Sequence, residues 1–265
     1  MQIHQQRAER ENLLRFINGS QFDEPLTGPE GATLQGLWRT AQHHPANSRI
    51  EPGETICLIT SGWAGWLRCA DDGRRLIFLF LMPGDYIVPS LFNVYNCDLI
   101  SLTPLRTVDA SALAEIGSTV TPQSLAIIQH TAQRYRHLML DHLTRLMMGS
   151  TTSSVASLLT EFHERSLRSG ACVEGRFSLP IGQRVLASAL GRSTVQVNKV
   201  ISLFQADGLV RVGYNWIEVL QPEKLQSLSG IAPRQAGRSK AATPAEQTAA
   251  FGGHNRKFER QFGGT

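Results

Sequence analysis

The stretch Gln183-Arg184-Val185-Leu186-Ala187-Ser188-Ala189-Leu190-Gly191-Arg192-Ser193-Thr194-Val195-Gln196-Val197-Asn198-Lys199-Val200 reads as two short helices joined by a tight turn. Leu186, Leu190, Val197 and Val200 fall on inward-facing positions. Ala187 is small where the two helices cross, and Gly191 is free to adopt the left-handed conformation of the turn. Ser193 is placed to cap the second helix, whose first turns present Thr194, Val195, Gln196, Asn198 and Lys199 outward. Gln196 and Asn198 suit adenine edges, and Lys199 suits guanine or a phosphate. Arg192 departs from the pattern, because the residue after the turn glycine is more often apolar. A generic helical hairpin with a polar outer face is the competing interpretation.

Downstream, after Asp207-Gly208, the run from Leu209 to Val219 reads as a β-hairpin turning near Gly213 to Asn215. Helix, turn, capped helix and hairpin in succession describe a winged helix-turn-helix, with Arg211 on the wing placed to grip a nucleic-acid backbone.

Upstream, Thr121-Pro122 supplies a cap and a residue suited to the first helical position, and the helix it starts continues to about Met148 without an internal Gly or Pro. Leu125, Ile128, Ala132, Tyr135, Met139, His142 and Leu146 recur at alternating steps of three and four, the seam of a coiled coil and so of a dimer; a stripe packed on the chain's own β-domain is the alternative. His142 at a seam position reads as an interhelical hydrogen-bonding group rather than a haem ligand or pH sensor. Gly149 breaks the pattern, and Val155, Leu158, Leu159 and Phe162 form the apolar stripe of a second helix ending near Gly170.

From about Ser48 to Val108 the texture is short apolar runs broken by turn signals, the pattern of a compact antiparallel β-sandwich or barrel. Within it, Trp63 to Cys69 and Arg74 to Leu81 flank Asp72-Gly73, a dipeptide suited to a hairpin turn. Trp63 and Trp66 lie three apart on one strand and point to opposite faces. Two short helices, around Arg7 to Ile17 and Thr33 to His43, are expected before this domain. The tail after Gly230, rich in Gly, Ala, Gln and Ser, is expected to be disordered.

Composition sets limits on function. The chain is 42% hydrophobic and 18% charged, enough for a real core, and no segment approaches the roughly 20 apolar residues of a membrane span. The charged first helix does not read as an export signal, so a cytoplasmic location is expected. Cys57, Cys69, Cys97 and Cys172 are scattered, without a zinc or redox spacing. The net charge of +4 is compatible with a polyanionic partner, although much of the excess lies in the tail. A cupin-type metalloenzyme would need clustered imidazoles, and between Pro45 and Gln129 the sequence has no histidine.

Taken together, Leu58 to Ala64, Asp72 to Arg75, Pro83-Gly84-Asp85 and Leu186 to Val200 resemble the Crp/Fnr superfamily of bacterial regulators over roughly residues 38–225, and Val195 to Lys199 is similar to its Val-His-Val-Asn-Arg recognition-helix variant. The resemblance implies an α+β chain: 1–44, N-terminal helices and loop; 45–120, an effector-sensing antiparallel β-barrel of the cyclic-nucleotide-binding jelly-roll type; 121–148, a dimerisation helix; 149–225, the winged helix-turn-helix; 226–265, a disordered tail. It implies double-stranded DNA, a second copy of the chain and RNA polymerase as partners, and no catalytic activity. Tyr86 to Leu91 and Asn96 to Ile100 stand where cyclic-nucleotide members carry their phosphate-binding Gly-Glu and Arg-Ser, so cyclic AMP is not expected. No cysteine precedes Cys57, so the family's N-terminal iron-sulfur cluster is not expected either. The effector stays unidentified, with Arg74, Arg75 and Asp85 as candidate anion-site residues. A β-domain serving only as a dimerisation or partner scaffold, with no effector, is the second interpretation.

Overall fold

The computed structural model describes residues 40–51, 53–69, 71, 75–91, 97–110 and 123–231. Eight strands are described in the first part of the chain: β1 (Gln42–His44), β2 (Arg49–Ile50), β3 (Cys57–Ser61), β4 (Ala64–Cys69), β5 (Arg75–Leu81), β6 (Tyr86–Ile87), β7 (Asp98–Ser101) and β8 (Leu105–Asp109). They form two antiparallel sheets in the orders β1-β8-β3-β6 and β2-β7-β4-β5. The β-domain is therefore a jelly-roll-like pair of antiparallel sheets, the fold class expected, and among the described residues the two sheets do not close into a barrel. Ile59, Leu105 and Ile87 of one sheet and Trp66, Leu79, Leu81 and Leu99 of the other share the core between them.

The hairpin foreseen around Asp72-Gly73 is present as β4 paired with β5, Ala64 opposite Leu81 and Cys69 opposite Arg75, while residues 72–74 lie outside the described ones. The register shifts where Trp66 opposes Leu79 and Leu67 opposes Ile77, leaving Phe78 as a bulge. This shift lets Ile77 and Phe80 both join the core on the outer face of the sheet, where a helix covers them. Trp63 and Trp66 do point apart as predicted, one into each core, and both are buried.

At the start of the β-domain, β1 pairs with β8, so Gln42 to His44 are strand where the sequence suggested the end of a helix. The apolar residues of that supposed helix precede Gln42, and polar Gln42-His43-His44 take an edge position along β8. The rest of that helix and the one around Arg7 to Ile17 lie outside the described residues.

Helix α1 (Gln123–Met148) is the long helix of the sequence pattern, and α2 (Thr151–Arg168) begins on Ser150, whose side chain accepts from the Ser153 amide at 3.1 Å. Gly149 joins them at close quarters: a Cβ there would collide with Ser154 Oγ and stand 3.0 Å from the Arg145 carbonyl. Phe162 of α2 reaches the β-domain edge-on, its ring centroid 4.8 Å from Trp63 and 5.3 Å from Phe80. One apolar core thus runs from the outer face of the β4–β5 hairpin through α2 into the C-terminal helices.

The remaining elements are β9 (Arg176–Ser178), α3 (Gln183–Ala189), α4 (Thr194–Ala206), β10 (Val210–Gly213), β11 (Trp216–Val219) and α5 (Pro222–Ser229). The predicted wing hairpin is β10 with β11, and β9 adds a third strand on the far side of β11. Helix α5 packs on α2 and buries Leu225 completely, so ordered structure continues past the boundary expected at 225.

Candidate nucleic-acid interface

Helices α3 and α4 bury Leu186, Ala187, Leu190, Val197 and Val200 against each other and against α2, as the sequence pattern required. The turn between them holds Gly191 at a φ of +58°, a conformation that suits glycine and strains a side chain with a Cβ. Ser193 accepts from the Gln196 amide at 3.2 Å, and the Gln196 side-chain oxygen accepts in turn from the Ser193 amide at 3.1 Å, a reciprocal capping box. Val197 and Val200 face inward, so Val195, Asn198, Lys199 and Ser202 project to solvent on the opposite side at helical spacing. The 13 residues of α4 make a rod about 20 Å long that fits the major groove of B-form DNA.

Not every predicted contact residue is free for that role. Ser193 and the Gln196 carbonyl oxygen are committed to the cap. Arg192 donates to the Gly149 carbonyl at 2.6 Å, and its Nε is buried without a hydrogen-bond partner. The residue that departs from the usual apolar turn therefore ties the turn to the α1–α2 junction, where Leu146 also packs on Gly191. Asn198 and Lys199 are exposed, and Thr194 is half-buried.

On the wing, Arg211 lies across from Glu218 and bonds it at 2.7 Å, and Arg176 of β9 reaches the same carboxylate oxygen at 2.9 Å. The hydrogen bond from Arg176, with the Arg211 cation nearby, lowers the Glu218 carboxyl from its ordinary value. Two guanidiniums on one carboxylate leave the wing a net positive charge. Arg176 also stacks on Trp216, 4.1 Å from the ring centroid, which stiffens the hairpin behind Tyr214, 90% exposed at its tip.

This geometry has matches among known proteins. Residues 153–228 match the model of the Crp-like helix-turn-helix domain. The chain is 25% identical over 185 residues to the transcriptional activatory protein AadR of Rhodopseudomonas palustris, covering 69% of this chain and 76% of that one. It is 27% identical over 160 residues to the nitrogen fixation regulation protein FixK of Bradyrhizobium diazoefficiens, covering 60% and 67%. In structure it resembles FixK2 from Bradyrhizobium japonicum, with a TM-score of 0.60 at 21% identity, over 73% of this chain and 98% of that one. The Thermus thermophilus regulator TTHA1359 follows with a TM-score of 0.53 at 19% identity, over 73% and 100%. The chain carries a Crp-like helix-turn-helix domain and is similar, over its matched length, to DNA-binding transcription regulators of the Crp/Fnr type.

The long helix divides its apolar residues between two faces. Tyr135 and His142 of the predicted seam are buried within the chain; Ile128, Ala132, Met139 and Leu146 are half-buried; the side chain of Leu125 lies outside the described residues. Tyr135 donates its hydroxyl to the Tyr86 carbonyl of the β-domain, and burial pushes its ionisation up. A different set stands free: Leu140 is 61% exposed, Leu143 52% and Met147 82%. Their steps of three and four are a heptad signature that the sequence held and that the longer Leu125 to Leu146 stripe obscured.

Asp85, a candidate effector residue, is already engaged within the chain. Buried after the Pro83-Gly84 turn, its carboxylate accepts from the Met82 amide at 2.7 Å, from Arg134 of α1 at 2.8 Å and from Arg165 of α2. Arg165 also donates to the Phe80 carbonyl at 2.8 Å and to Glu161 at 2.6 Å, and Glu161 binds Arg145 of α1. Burial would raise the Glu161 carboxyl, but Arg145 and Arg165 outweigh it and hold it at about 2. Next to Arg145, His142 is lowered to about 4, first by burial and then by that cation, and its Nε2 is buried without a hydrogen-bond partner. The chain Asp85–Arg165–Glu161–Arg145 clasps the β-domain to both helices; sequence inspection gave no signal of it beyond scattered charges on helix stripes.

Arg75 is exposed, its carbonyl accepting from Ser188 Oγ of α3 at 2.8 Å, and Arg74 lies outside the described residues. No three His, Cys, Asp or Glu side chains converge on a metal-sized site, and no helix is long and apolar enough to cross a membrane, both among the described residues.

Proposed function

We propose that this regulator works as a cytoplasmic, non-catalytic homodimer that reads a palindromic operator, with α4 in the major groove and the wing on the adjacent backbone. The observation that carries the reading is the capped, exposed α4 surface of Val195, Asn198 and Lys199 beside the cationic wing strand of Arg211. The second copy docks along Leu140, Leu143 and Met147, and its two-fold symmetry spaces the half-sites one helical turn apart. RNA polymerase is the further partner such a regulator implies.

The engagement of Asp85 by Arg134 and Arg165 favours a narrower form of this reading, in which the DNA-reading unit is held in place without an effector at that carboxylate. A titration of a selected duplex with protein prepared without ligand tests both points. Two protomers per duplex, and a preference of about a thousandfold or more over scrambled DNA near physiological salt, is the expected result. One protomer per duplex, or equal affinity for both DNAs, would overturn it.

A further inference from the structure

Val195 occupies the second position of α4 and is 77% exposed. Nothing among the described residues packs on it to account for an apolar side chain there. The first turn of a helix favours acidic or small polar residues, and a β-branched side chain on a solvated helix surface loses rotamer freedom without burying area. Its neighbours on the same face are Asn198 and Lys199, about one turn on, whereas the other polar groups of the turn, Arg192 and the Gln196 carbonyl oxygen, are spent on Gly149 and on the cap.

We infer that Val195 reads the C5-methyl group of a thymine in each half-site. The inference rests on the DNA-reading role proposed above and deepens it. In the major groove a thymine differs from a cytosine by a carbonyl and a methyl, and an apolar side chain carried on a fixed helix distinguishes the methyl by burying it. The capping box fixes the direction of the first helical turn, and Val195 has one dominant rotamer in a helix, so the contact costs little ordering. Asn198 and Lys199 then supply the hydrogen bonds to neighbouring purines, and the recognition face uses one apolar contact and two polar ones.

The test replaces single thymines of the selected operator by deoxyuridine, which removes only the methyl. Burying one methyl is worth about 0.8 kcal/mol, so one thymine position per half-site loses about fourfold in affinity on this replacement. In Val195→Ala the same replacement has no effect, and in Val195→Ile the sensitivity persists. A cytosine at that position binds poorly, and 5-methylcytosine recovers part of the loss. If uracil is tolerated at every position, or costs wild type and Val195→Ala equally, the inference fails while DNA reading stands. If no operator can be selected at all, the DNA-reading role fails and this inference falls with it.

Discussion

Among the residues of the recognition helix, position and availability differ. Asn198 and Lys199 are exposed with nothing inside the described chain to hold them, whereas Gln196 closes the capping box. Lys199→Ala is expected to weaken binding to the selected duplex by about 2 kcal/mol, roughly thirtyfold, with no change in the dimer. Gln196→Ala is expected to lower stability by about 1 kcal/mol while the preference at each operator position is retained, measured by denaturation beside a base-substitution scan. The outward direction of these side chains was legible in the sequence, because period and cap together fix it. The engagement of Gln196 and Arg192 was not, since both are types that also bind DNA and only the positions of Ser193 and Gly149 decide between the roles.

His142 gives a prediction of another kind. Below about pH 6.5 the unfolded chain protonates this ring, whereas the folded chain resists until about pH 4. Protons therefore favour unfolding in that window, and stability falls as the pH drops through it, by roughly 3 kcal/mol at the lower end. His142→Leu should flatten the stability profile between those values. Glu161 opens a second, lower window: the stability contributed by its carboxylate is complete above its ordinary value of 4.5 and is lost as the pH falls to about 2, a loss that His142→Leu leaves in place.

Elements show how far a periodic pattern reaches. The long helix was legible from the sequence, its expected start at Thr121-Pro122 lying outside the described residues, but the pattern could not say which stripe turns to the β-domain and which stays exposed, because both are apolar at heptad steps. Contacts from other elements decide it: the Tyr86 carbonyl takes the Tyr135 hydroxyl, and Leu140, Leu143 and Met147 are left outside. Leu143→Glu should weaken dimerisation by about a thousandfold, since roughly 2 kcal/mol of apolar burial is lost in each of two symmetric copies, with little change in monomer stability; sedimentation velocity against concentration reads this. The clasp predicts the opposite sensitivity. Asp85→Asn preserves shape but removes the carboxylate charge facing the buried Arg165, at a cost of about 3 kcal/mol and a fall in Tm on the order of 10 °C. An Asp85→Asn protein of unchanged Tm would return this carboxylate to the list of ligand-site candidates.

Across the whole molecule, the order of β-domain, long helix and winged helix-turn-helix was legible because each part has its own sequence period and its own punctuation. What joins them was not. Trp63, Phe80 and Phe162 meet across 99 residues of sequence, and β9 reaches the wing through the pairing of Phe177 with Ile217. Contacts of this range leave no periodic trace. The choice between sandwich and barrel stayed open in the sequence for a related reason: short strands with turns between them specify antiparallel pairing, while closure depends on which edges meet.

Enrichment of bound fragments from a random DNA pool, using the full chain without added ligand, tests the central claim most directly. The account predicts a palindromic motif with half-sites one helical turn apart, recovered by a dimer. A dimeric preparation that enriches no motif, or one that enriches a motif without two-fold symmetry, would contradict it.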